Sequence, residues 1–202
     1  MIVFRKYLSL NIKKLILMFS KYHFLYMLPK KQGLYSPEYE HDNCGAGFIC
    51  SLQGKKTNDI IHKALDILNC LEHRGAVSAD GKTGDGAGIL IEIPHEFLKN
   101  QCEFILPEAN EYAVGMVFLP QKDNQSSYCK GVLESELKKQ GLDVLGWRKV
   151  PVKHGVVGKI ASQTEPKIMQ IFVSKGNKSI SDHQFNNKLF CARKISEHTI
   201  LN

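Results

Sequence analysis

Three stretches of this chain concentrate side chains able to do chemistry. The first is Glu40-His41-Asp42-Asn43-Cys44-Gly45-Ala46-Gly47-Phe48, where the Cys44 thiol is followed by small residues. Gly45 and Gly47 carry no Cβ, so the backbone is free to bend sharply and to let a substrate approach. The second, Glu72-His73-Arg74-Gly75-Ala76, holds a guanidinium fork that matches a carboxylate bidentately. The third is Asp80-Gly81-Lys82-Thr83-Gly84-Asp85-Gly86-Ala87-Gly88. It has neither the Walker lysine nor the Rossmann glycine spacing, and it runs into an apolar segment rather than opening a helix. It reads as a tight loop, with Gly84, Asp85 and Gly86 as a candidate site loop. Each residue also has a plainer reading. Cys44 alone is a structural thiol, and Arg74 alone is a surface cation favoured by a helix C-terminus. His73 reads as local support, and Ser78, Asp80 and Thr83 as turn residues.

Composition narrows what such groups could act on. At 202 residues the chain suffices for one ordinary domain, and 43% hydrophobic with 23% charged residues is a globular balance. The formal charge of +7 is confined to the leader, since residues 1–37 hold seven Lys and Arg and no acid. The other 20 basic residues balance the 20 acidic ones. Nucleic-acid binding is not expected of the globular part. The six cysteines (Cys44, Cys50, Cys70, Cys102, Cys129, Cys191) are scattered through apolar segments without a Cys-x-x-Cys pair. That pattern suits reduced thiols in a cytoplasmic protein better than a disulfide framework. The eight histidines show no metal-ligand spacing, so neither a metal nor another cofactor is expected within this chain.

The elements that must position these groups follow from periodicity. Residues 1–26 form a basic, apolar extension whose lysines break it into runs too short to span a bilayer. Translation is expected to start at Met27, or else at Met18, with a basic interfacial helix as the alternative. Pro29 to Asn43 is a polar, turn-rich approach to Cys44. A strand is predicted over Gly47–Leu52 and a turn at Gly54. A helix then runs from Thr57 or Asn58 to about His73, with Ile60, Ile61, Ala64, Leu65, Leu68 and Leu71 on one face. Gly75 ends it. Strands are predicted at Ile89–Ile93, Tyr112–Leu119, Leu142–Val150 and Ile168–Val173. Helices are predicted at His95–Gln101 (one turn or two), Ser126–Gln140 and Ser181–Glu197, the last with Phe185, Leu189, Ala192 and Ile195 inward. Helices and strands mix without a βαβ repeat, which points to a layered α+β fold.

The order and spacing of the three stretches, together with the Gly33-Leu34-Tyr35 entry, resemble the class II glutamine amidotransferase domain of the glutamate synthase family. The resemblance covers residues 33–199. It implies a four-layer αββα sandwich of the N-terminal nucleophile hydrolase type, incomplete in this chain. It also implies hydrolysis of L-glutamine to glutamate and ammonia, with Cys44 as nucleophile and Arg74 holding the α-carboxylate of glutamine. No histidine follows Cys44 at the spacing of a known cysteine–histidine pair. An N-terminal cysteine solves this with its own α-amine, whose pKa is about 7.7–8.0 when free. Residues 27–43 are then a propeptide and 44–202 the N-terminal part of the amidotransferase domain. The family's Asn-Gly oxyanion pair is not found after Cys44, so this chain alone is expected to be nearly inactive. In the complete enzyme, the resemblance implies amination of 2-oxoglutarate with FMN and an iron–sulfur cluster bound elsewhere in the large subunit. A small electron-transfer subunit or ferredoxin is the implied partner, and no membrane is. Two rivals stay open: another class II amidotransferase, of the amidophosphoribosyltransferase kind, and a truncated, non-catalytic remnant.

Overall fold

The computed structural model describes residues 2–5, 31–33, 45–71, 80–84, 86–176 and 179–201. In chain order its elements are β1 (Ile2–Arg5), α1 (Asn58–Cys70), α2 (His95–Gln101), β2 (Tyr112–Leu119), α3 (Asp123–Lys139), β3 (Asp143–Lys149), α4 (Lys159–Ser162), β4 (Lys167–Ser174) and α5 (Asp182–Leu201). They divide between two compact units. Of the described residues, one unit holds 2–5, 80–84 and those from 90 onward, and the other holds 31–33, 45–71 and 86–89.

The first unit is built on β2 and β4. β2 carries Tyr, Val and Phe and β4 carries Ile, Phe and Val, residues that favour a pleated, half-buried surface. They pair antiparallel along their full length, from Tyr112 opposite Ser174 to Leu119 opposite Lys167. β1 and β3 add antiparallel at the two sides, giving the order β1-β2-β4-β3. Because successive strand residues point to opposite faces, each strand feeds two cores. On one face Ala113, Val117, Leu119, Ile171 and Val173 pack against Leu133 and Leu137 of α3 and Phe185, Leu189 and Ala192 of α5. On the other, Tyr112 and Phe172 pack with Leu98 of α2 and with Leu106. The ring of Phe104 meets Phe172 edge-on at 5.2 Å. Gly146 makes room for it, since a Cβ there would lie 2.5 Å from the Phe104 ring.

The helix ends have local causes. α3 stops at a Schellman turn in which Gly141 takes φ 71°. There Leu142 N–H donates to Leu137 O at 3.0 Å and Gly141 N–H to Lys138 O at 2.8 Å. Leu142 and Leu137 are both buried in the same core, the apolar contact that accompanies this motif. α5 begins with a capping box, Ser181 N–H donating to Gln184 Oε1 and Gln184 N–H to Ser181 Oγ.

The antiparallel sheet and flanking helices make the fold α+β, as periodicity suggests, and most elements fall within three residues of their predicted bounds. Several expectations need correction. The apolar runs Gly47–Leu52 and Ile89–Ile93 are not strands. Phe48, Leu52 and Leu90 are largely exposed, and strand propensity is expressed only where a neighbour pairs and buries the run. Ile195 is 43% exposed while Ser196 is fully buried, its hydroxyl donating to Ala192 O at 2.7 Å. At 3.6 residues per turn, position 196 lies about 20° from Phe185 and position 195 about 80° away. β1 and α4 were not anticipated. α1 ends at Cys70 with Leu71 as its cap, three residues short of the expected His73, and the expected stop at Gly75 lies outside the described residues. No helix among the described residues is long and apolar enough to cross a membrane.

Candidate functional site

Cys44, Arg74, His73 and Asp85 lie outside the described residues, whereas their neighbours Gly45–Leu71, Gly84 and Gly86 are described. The segment following Cys44 runs without regular structure to a turn in which Gly54 (φ 68°) donates its N–H to Ser51 O at 3.1 Å. Within it, Gly47 lies close against α1. A Cβ on Gly47 would fall 2.7 Å from Ile67 Cγ2, whereas nothing lies within 4 Å of one on Gly45. Neither glycine has a positive φ. The missing Cβ at Gly47 therefore serves packing rather than a sharp bend. α1 itself is amphipathic but buries no residue completely, its apolar face being half covered.

The glycine-rich stretch begins in a clamp of hydrogen bonds. Asp80 Oδ1 accepts from the backbone N–H of Lys82 and of Thr83 at 2.9 Å each, and Oδ2 accepts from Thr83 Oγ1 at 2.8 Å. The Lys82 N–H, then the two Thr83 donors, hold the Asp80 carboxyl below the usual carboxylate range, because each favours the ionised form. Thr83 Oγ1 in turn accepts from Gly158 N–H at 2.9 Å, a contact between residues 75 positions apart. Gly158 is buried and precedes α4; a Cβ on it would sit 1.5 Å from Asp80 Oδ2. Only glycine fits there. Beyond the clamp, Gly84, Gly86 and Gly88 are exposed, and Gly86 takes φ 90°, a conformation that other residues rarely adopt.

A second polar group sits on the sheet. His95 Nδ1 and the Tyr112 hydroxyl lie 3.1 Å apart. Burial, reinforced by Cys102 and Glu96, pushes the Tyr112 phenol up to about 12. Burial likewise raises the Cys102 thiol, against the pull of Arg148. This cluster belongs to the packing of the sheet's second face, with Tyr112 stacked at 6.2 Å from Phe172. Neither groups of three or more His, Cys, Asp and Glu side chains suited to a metal ion nor a disulfide occurs among the described residues.

On sequence alone Asp80 and Thr83 read as ordinary turn residues and Gly158 carries no signal. Asp80 is a turn residue, but its turn is docked. Nothing local to either stretch signals a pairing across so much chain; a glycine before a short helix and a Thr in a loop are each unremarkable alone.

The family pattern described as glutamine amidotransferases class-II matches residues 44–202. The chain is 41% identical over 172 residues to the glutamate synthase (NADPH) large chain of Bacillus subtilis, covering 85% of this chain and 11% of that protein. It is 42% identical over 170 residues to the corresponding large chain of Azospirillum brasilense, covering 82% and 11%. To the ferredoxin-dependent glutamate synthase 2 of a Synechocystis species it is 40% identical over 159 residues, covering 77% and 10%. The chain thus spans about a tenth of the length of these relatives.

Proposed function

The chain belongs to the class II glutamine amidotransferases, and from that premise we propose that it is the glutaminase part of a glutamate synthase, hydrolysing L-glutamine to glutamate and ammonia. The observation that carries this reading is the family match, which opens on Cys44 and runs to residue 202. The three relatives just described, two designated NADPH and one ferredoxin-dependent but all glutamate synthases, favour it over the amidophosphoribosyltransferase alternative.

In this reading the peptide bond before Cys44 is cut and residues 27–43 leave as a propeptide. The freed α-amine, with an ordinary pKa of about 7.7–8.0, takes the Cys44 thiol proton directly or through a water. The thiolate attacks the side-chain carbonyl carbon of glutamine. The C–N bond then breaks, and the amine returns the proton to the departing nitrogen, leaving ammonia and a thioester. Water cleaves the thioester, which releases glutamate and restores the thiol. Arg74 clamps the substrate α-carboxylate, and the loop Gly84-Asp85-Gly86 borders the substrate, its glycines permitting close approach.

The finer architecture follows from the same premise. The four-stranded sheet would be one central layer of an αββα sandwich of the N-terminal nucleophile hydrolase type, with α3 and α5 as an outer layer. Val114, Met116 and Phe118, half-buried on the face away from those helices, support a further layer there. The ammonia would be used to aminate 2-oxoglutarate in a longer enzyme, where FMN and an iron–sulfur cluster would carry electrons from an external donor. The described residues here offer no ligand set for such a cluster, so no step above runs through it. The remaining partners proposed are the rest of the large subunit and a small electron-transfer subunit or ferredoxin, in the cytoplasm.

The test is the N-terminal sequence of the protein from its native cells, paired with glutamine hydrolysis by Cys44→Ala. An N-terminus at Cys44 and a loss on the order of 10⁴-fold or more in hydrolysis are expected. Full activity in a protein that keeps residues before Cys44, or in the alanine variant, would overturn the reading.

A further inference from the structure

We propose that β1, the strand supplied by the basic leader, is a cover for the edge of β2, and that it keeps two copies of this chain from pairing through that edge. The proposal concerns the sheet unit alone and does not rest on the chemistry assigned to Cys44.

The two sides of the sheet are finished in different ways. β3, the last strand on one side among the described residues, carries Asp143, Arg148 and Lys149. Its pairing with β4 shifts register between Val144 and Gly146. Charged side chains and an irregular register are means by which strands at a sheet edge escape pairing with another chain. β2 has neither. Its eight residues, Tyr-Ala-Val-Gly-Met-Val-Phe-Leu, include no charge and no proline, and all are buried or half-buried. Its register against β4 is unbroken. Such a strand belongs inside a sheet. Left at the side, it would offer a flat apolar row of unpaired N–H and C=O groups.

β1 turns β2 into an interior strand. Ile2, Val3, Phe4 and Arg5 pair antiparallel with Val117, Met116, Gly115 and Val114, over the middle of β2. β1 is itself suited to the outer position, being four residues long and followed by Lys6. Residues 1–37 around it hold seven basic residues and no acid. A short strand ending in two cations is a poor template, and two such leaders repel one another. Without β1, the partner that best fits the β2 edge is a second β2. Antiparallel pairing about a two-fold axis sets the same uncharged row on both sides, with main-chain hydrogen bonds as the gain. The proposal requires translation from Met1 rather than from Met27 or Met18.

The test is sedimentation of the intact chain against a double variant, Val3→Pro with Phe4→Pro. Adjacent N–H groups of a strand point to opposite sides, so two successive prolines must delete one that faces β2. The intact chain is expected to be monomeric, and the double variant to dimerise as its concentration rises. In dilute solution, the Val114–Val117 amides not bonded to β4 should lose hydrogen-exchange protection by about tenfold. Adding Met116→Lys puts a charge on the bared edge and should restore the monomer, which separates edge pairing from misfolding. A double variant that stays monomeric with unchanged protection overturns the proposal. So does association that Met116→Lys leaves in place, or a newly made chain in native cells that begins after β1.

Discussion

The two units of this chain carry different burdens, and they are built differently. The sheet unit has two hydrophobic cores in which Ala113, Ile171, Phe172, Val173, Phe185 and Ala192 are wholly removed from water. The unit containing the segment after Cys44 has a 13-residue helix with no fully buried residue, and beside it Phe48 and Leu52 stand 80% and 90% exposed. One is held by burial; among the described residues of the other, none is fully buried and Gly47 lies against Ile67. The difference teaches where each kind of substitution should be felt. Stability should respond steeply in the sheet unit, while the residues proposed to do chemistry sit in sequence beside described residues none of which is fully buried.

The sharpest test of that contrast is Phe185→Ala. Phe185 is fully buried between the sheet and α3, and removing a buried phenyl ring costs about 3–5 kcal/mol. Unfolding is followed by the fluorescence of Trp147, the only tryptophan, which sits in β3 and donates its Nε1–H to Glu134 Oε1 at 2.6 Å. A loss below about 1 kcal/mol would mean that the first core is not what holds the sheet unit together.

The same contrast explains what was legible in the sequence. β2, β4 and α5 announce themselves because their apolar residues recur with the period of the element that buries them. Position 195 misleads because a 3.6-residue period drifts, and after three turns Ser196 rather than Ile195 returns to the buried face. The runs Gly47–Leu52 and Ile89–Ile93 are as apolar as true strands, yet no local feature states whether a partner will pair with them. Glycine was read for its freedom, and at Gly86 that was apt; at Gly47, Gly146 and Gly158 the small size matters instead, set by Ile67, Phe104 and Asp80. Such fits depend on residues 20 to 78 positions away, whose approach no short window of sequence reveals. Cys44 and Arg74 were found through motif and spacing, a signal independent of burial.

A smaller effect separates the sheet's second face from the exposed unit by pH. Tyr112 titrates near 12 in the folded chain against about 10 unfolded, chiefly because burial disfavours the phenolate. The folded pKa is raised, so the stabilisation is fully present below about pH 10 and is lost as pH rises through 12. Between those values the unfolded state releases the proton first, and stability falls by of order 2 kcal/mol. Denaturant midpoints followed by Trp147 should show this decline in the wild-type chain and a shallower one in Tyr112→Phe. Parallel slopes would mean that the phenol reaches water.

The smallest effect is the most exacting, because it predicts near silence. Leu52 is a large apolar residue in an apolar run, and on sequence alone Leu52→Ser would be scored as damage to a strand core. In the structure it is 90% exposed in the turn that precedes Gly54, with no apolar surface to lose on folding. Substitutions at such sites stay within about 0.5 kcal/mol. Hydrogen-exchange protection of the α1 amides, Asn58–Cys70, reads the stability of this unit directly, where Trp147 does not. Unchanged protection in Leu52→Ser supports a segment positioned by point contacts rather than by a core. A drop equivalent to more than about 1.5 kcal/mol would mean that Leu52 is covered in the folded protein. The contrast between the units would then vanish, and the cysteine segment would have to be regarded as one more buried layer.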